Sequence, residues 1–128
     1  MRLTELERAV LSWFAANAGS DRLRVRLRHI AAVERRSGRG GVFLTLRVPD
    51  LPLSGEERRE ANPHPGPVIR TKSIPGGAEG VLYVTEDEIP EALELFTYGD
   101  PWPAEVGDFE LIQPGCASAA GEPRRTRG

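Results

Sequence analysis

The chain has 128 residues; 31 of them are Leu, Ile, Val or Phe and 25 are Gly or Pro. That is enough apolar content for one self-supporting core, and it excludes a collagen, a coiled coil and a fully disordered chain. The formal net charge of −2 hides a segregation, with +6 over residues 1–48, −10 over 49–112 and +2 over 113–128. Such asymmetry points to charged partners or to self-association, and says little about fold.

Cys116 is the single cysteine, so no intrachain disulfide forms and the fold rests on its core. Glu5, Glu7 and Arg8 interrupt any signal-peptide apolar run, and the charge-free stretch Ala9 to Ser20 is too short and polar to span a bilayer. The expected compartment is the cytoplasm.

Leu3, Leu6, Val10, Trp13 and Phe14 make one apolar stripe at helical spacing. Thr4 followed by Glu7 matches a capping box, and Gly19 is a natural stop, which predicts a helix over 4–18. Residues 20–28 allow two readings. Leu23, Val25 and Leu27 alternate with arginines as in a strand, whereas Leu23, Leu27 and Ile30 fall at i, i+4 and i+7 behind Ser20 as a cap. The expectation is a short second helix.

A hairpin is expected over 30–48. Its first strand runs from Ile30 to Arg36, its turn is the glycine-rich Ser37 to Gly41, and Val42, Leu44, Leu46 and Val48 alternate on its second strand. Residues 49–67 carry five prolines and read as a long loop, with one or two helical turns available over 54–61. Val68 to Ile74 reads as a strand, followed by a turn at Pro75-Gly76-Gly77 and a strand over 81–85. Glu86-Asp87-Glu88 is a polar turn. Residues 89–98 fit a helix by propensity and a strand by alternation; strand is the choice. A last short strand is expected over 108–112, and a disordered tail from 113 onward. The sum is an α+β domain over 1–112, with an N-terminal amphipathic helix and the short second helix packed on an antiparallel sheet of about five strands.

The segment Tyr98-Gly99-Asp100-Pro101-Trp102-Pro103 then stands out. Together with the N-terminal helix it resembles small uncharacterised bacterial α+β proteins that share a C-terminal Tyr-Gly-x-x-Trp-Pro segment. The resemblance covers about residues 3–112 and implies a fold, with no activity, cofactor or partner to carry over. On physical grounds, two prolines hold Trp102 extended, either as a plug over the sheet edge or as an anchor for a partner.

Most site chemistries lack their residues. His29, His64 and Cys116 share no ligand spacing, so no metal site is expected. No nucleophile elbow, Walker loop or dinucleotide fingerprint occurs, and no catalytic residue or cofactor is assigned. The first functional reading is a non-enzymatic interaction protein, immunity- or inhibitor-like and open to homodimer formation. Its acidic surface would hold Glu86, Asp87, Glu88, Glu94, Tyr98 and Trp102, and its partner would be a basic protein. The second is nucleic-acid binding through Arg22, Arg24, Arg26, Arg28, Arg35, Arg36 and Arg39; aliphatic interleaving and an acidic pI of about 5.7 weigh against it. The third is an enzyme with a carboxylate site near Glu94 and Tyr98.

Overall fold

The computed structural model of the protein describes residues 1–49 and 61–114. Helices α1 (Glu5–Ala16) and α2 (Asp21–Arg28) precede strands β1 (Ala31–Ser37), β2 (Gly41–Arg47), β3 (Asn62–Thr71), β4 (Ile74–Val84), β5 (Pro90–Thr97) and β6 (Glu110–Ile112). The strands form one antiparallel sheet in the order β1-β2-β5-β4-β3-β6. Both helices pack on one face of it, so the fold is α+β with six strands where the sequence suggests about five.

α1 starts where the capping box says it should. The Thr4 hydroxyl accepts from the Glu7 N–H at 3.1 Å, and the Glu7 carboxylate accepts from the Thr4 N–H at 2.8 Å. Leu6, Val10, Leu11 and Phe14 then point into the core. α2 settles the ambiguity over 20–28 in favour of a helix. Ser20 caps it by accepting from the Leu23 N–H, Leu23 and Leu27 are buried, and Val25 is 52% exposed. A strand would have put all three aliphatic residues on one face.

The helix-facing side of the sheet carries Val42, Leu44 and Leu46 on β2, Leu93 and Leu95 on β5, Ala78, Leu82 and Val84 on β4, and Ile69 on β3. The register aligns Leu44, Leu93 and Leu82 in one row across three strands. α1 lies close over Gly66 and Gly80. A Cβ at Gly66 would overlap the Phe14 ring, and one at Gly80 would meet a Val10 methyl at 3.1 Å. The missing side chains let the helix approach the sheet.

Two expectations are corrected. Residues 62–67 are strand rather than loop, although Pro63, Pro65 and Pro67 lie there. Pro63 and Pro65 alternate, so their missing N–H groups fall on one side of the strand, and Pro67 lies in the bulge where Gly66 and Pro67 together stand opposite Gly80. β4 keeps its ladder on the other side, and β6 joins β3 only from Val68 onward. Pro75-Gly76-Gly77 is not a turn but a bulge within β4. Ile69 faces Ala78 and Thr71 faces Ile74, so these three residues stand opposite Arg70 alone, with Gly77 at φ +84°. The hairpin turn is Lys72-Ser73. Residues 54–60 of the suggested helical turns, and the tail from 115, lie outside the described residues.

Candidate functional site

The longest described segment without helix or strand is 98–109, and the structure fixes it at both ends. The Trp102 N–H donates to the Arg39 carbonyl at 2.8 Å, and the Gly76 N–H donates to Asp100 Oδ2 at 2.8 Å. The Thr97 hydroxyl donates to the Asp100 carbonyl. Further along, Thr71 Oγ1 donates to the Asp108 carbonyl at 2.7 Å and lies 3.2 Å from the Val106 carbonyl, to which Ser73 Oγ donates at 2.7 Å. A long loop tied this often is a built wall.

That wall closes one side of a groove of about 730 Å³, whose other sides are the N-terminus of α1 and the β1–β2 hairpin. Its floor is apolar, with Leu6, Val42 and Leu95 from the core and Trp102, Val106 and Phe109 from the loop. Three exposed carboxylates border it, those of Glu5, Glu105 and Asp108. A volume of this size with an apolar floor and a few convergent polar groups is what ligand sites use.

Glu7 and Arg35 form the polar wall. Glu7 is 2% exposed, yet it is ionically satisfied. Arg35 Nε donates to Glu7 Oε2 at 2.9 Å and Nη2 donates to Oε1 at 2.6 Å, a bidentate pair that also reaches the Arg2 carbonyl. Arg35 is on the helix-facing side of β1 because it pairs with Leu44 in the register. The hydrogen bonds that the guanidinium donates to Glu7 raise its pKa above the ordinary value, against a smaller opposing effect of burial. The pair shapes the groove without leaving a free charge on Glu7.

The structure divides the acidic surface that the sequence suggests. Glu86, Asp87 and Glu88 form the β4–β5 turn, whereas Tyr98 lies beyond the far end of β5, roughly 27 Å away at 3.3–3.4 Å per residue. The turn is bound to α2. Ser20 Oγ donates to Glu88 Oε2 at 2.8 Å, and Arg26 Nη1 donates to the carbonyls of Asp87 and Glu88 at 2.7 and 2.8 Å. Glu94 and Tyr98 lie on the side of the sheet away from the helices, where Glu94 accepts from the Tyr83 hydroxyl and Tyr98 donates to Glu79. Trp102 is half-buried on the helix side, packed against the core and lining the groove. It therefore serves partly as the plug and partly as a presented surface.

The arginines do not form one patch either. Arg22, Arg24, Arg26 and Arg28 advance around α2 rather than along one face, and Arg24 pairs with Asp21. Arg35 is committed to Glu7, Arg36 contacts Glu34 at 3.6 Å, and Arg39 is exposed in the β1–β2 turn. Among the described residues no three His, Cys, Asp or Glu side chains are grouped to hold a metal. No described helix is long and apolar enough to cross a membrane.

Sequence reasoning missed Glu5, Glu7, Glu105, Asp108 and Phe109 as site residues, and it singled out Arg35 for nucleic acid rather than as the partner of Glu7. One signal was present. Glu7 falls on the apolar stripe, four residues after Leu3 and three before Val10, and a carboxylate on a buried stripe needs a cationic partner. No family model, curated protein or solved structure matches this chain.

Proposed function

We propose that the chain is a non-enzymatic interaction protein that receives a basic segment with apolar neighbours from a partner protein, in the groove beneath loop 98–109. The observation that carries this reading is Trp102, fixed through its backbone and half-buried beside the carboxylates of Glu5, Glu105 and Asp108. An aromatic face among carboxylates attracts an ammonium or guanidinium group, and the apolar floor accepts the stem of such a side chain or its neighbour. A preformed wall lowers the ordering cost of binding. The acidic, Trp-containing surface thus draws its acids from the ends of α1 and of the loop, not from the β4–β5 turn.

The test is affinity capture from nuclease-treated lysate with three baits: the wild-type chain, Trp102→Ala, and Glu105→Arg with Asp108→Arg. The expected result is a basic protein eluted by a salt step from the wild type and lost from both groove variants. Glu86→Gln with Asp87→Asn should retain it. Capture indifferent to the groove variants, or a ligand removed by nuclease, overturns the reading.

A further inference from the structure

The groove carries negative charge that no described cation neutralises. Glu7 is matched by Arg35, but the exposed carboxylates of Glu5, Glu105 and Asp108 form no ion pair among the described residues. Beneath them Leu6, Val42, Leu95 and half-buried Trp102 supply an apolar floor in the same cavity of about 730 Å³. The complement stands in the chain's own sequence. Arg124, Arg125 and Arg127 follow the uncharged run Gly115 to Gly121, and Glu122 is the only acid after Glu110.

These arginines are within reach. The chain leaves the groove at Phe109 and runs along β3 as β6, with Glu110 facing Arg70 and Ile112 facing Val68. Pro114 therefore lies roughly 17 Å from Phe109, at 3.3–3.4 Å per residue. Arg124 comes ten residues after Pro114. Ten residues extend to at most about 33–36 Å, so the return to the groove rim uses about half of the available chain.

We propose, resting on the reading of the groove as a seat for basic segments, that residues 122–127 of this chain occupy it and compete there with the partner. In an extended segment Arg125 and Arg127 share one side and Arg124 takes the other. The first two then face Glu105 and Asp108 on the loop wall, and the third faces Glu5 on α1. Arg35 is held by Glu7 and adds no unmatched positive charge against them. Attachment to the same chain presents the segment at an effective concentration on the order of millimolar, so contacts too weak to hold a free peptide suffice. A partner binds only the fraction of chains whose groove is open, and its apparent affinity falls accordingly.

A spin label at position 126 of the full chain, in Thr126→Cys with Cys116→Ser, tests the contact with no partner present. The expected result is NMR line broadening concentrated on the Trp102 indole N–H and the amides of Glu5, Glu105 and Asp108. Glu105→Arg with Asp108→Arg should disperse it, as should Arg124→Glu with Arg125→Glu and Arg127→Glu. Broadening indifferent to both sets, or seen only between a labelled and an unlabelled copy, overturns the proposal. A synthetic peptide of residues 117–128 gives a second reading through Trp102 fluorescence in a Trp13→Phe background. It should bind the chain with Glu at 124, 125 and 127 at least about tenfold more tightly than the chain with its arginines. Equal affinities overturn the proposal. Capture of a basic protein through the groove, without localised broadening, removes this inference and leaves the proposed function standing. Localised broadening with no captured protein supports this inference and removes the proposed function.

Discussion

Glu7 illustrates how one side chain can serve local and tertiary structure together. Its carboxylate completes the cap of α1 and receives the fork of Arg35. Removing one member of a buried pair costs more than the pair contributes, because the other charge is stranded. Arg35→Met is therefore expected to lower unfolding free energy by about 3 kcal/mol in urea titrations. Glu7→Gln keeps an acceptor for the Thr4 N–H and should lose less, and Arg36→Met, on an exposed pair, should lose under about 1 kcal/mol. Equal losses at positions 35 and 36 would remove the pair from the account of stability. Tyr83 offers a second test. Its hydrogen bond to Glu94, then burial, then the nearby negative charge raise its pKa above the ordinary 10.0. A folded pKa above the unfolded one means that the stabilisation is complete below about pH 10 and is lost as pH rises through the raised value. In a Tyr98→Phe background, tyrosinate absorbance reports Tyr83 alone. Its midpoint should lie above 10.0 and move down in Glu94→Ala.

At the scale of elements, legibility followed locality. α1 was readable because its cap, stripe and stop are all local, and β2 because one face is buried and the other is not. β3 and β4 were not, because what decides them lies on neighbouring strands. Prolines that break an isolated segment are accepted on a strand whose other edge supplies the ladder, and a Pro-Gly-Gly signal for reversal becomes a bulge when Arg70 is its only counterpart. The groove was equally hidden, since α1, the hairpin turn and the loop are far apart in sequence and meet there only through tertiary packing and hydrogen bonds. Thr71 is the hinge of that assembly, with its hydroxyl bonded to one loop carbonyl and close to a second. Thr71→Val preserves volume and β propensity while deleting that bond, at a cost of about 1–2 kcal/mol. In a Trp13→Phe background, Trp102 fluorescence should become more quenchable by acrylamide in Thr71→Val. Unaltered quenching would show that the other ties suffice to hold the wall.

For the whole molecule, chain order and sheet order disagree, and this bears on cooperativity. β3, β4 and β5 follow one another in sequence and in space, but β2 finds its second neighbour in β5, across more than 40 residues. The β1–β2 hairpin must dock on a surface that later residues complete, and such non-local pairing carries the larger loop-closure cost. Within the native sheet, β4 and β5 are paired on both sides, whereas β1 has one partner and β6 is three residues long. Local opening draws on the least-tied elements first. Native-state hydrogen exchange is therefore expected to rank the amides of Leu82, Leu93 and Leu95 at the global unfolding limit, with those of β1 and β6 exchanging through smaller openings. The Glu7–Arg35 pair makes a further distinction, because it fastens the edge strand β1 to α1 rather than to the sheet. Arg35→Met should accelerate exchange in β1 and at the α1 N-terminus while leaving the order within β3–β4–β5 unchanged. Uniform acceleration throughout the sheet would instead mean that the hairpin and the meander unfold as one unit.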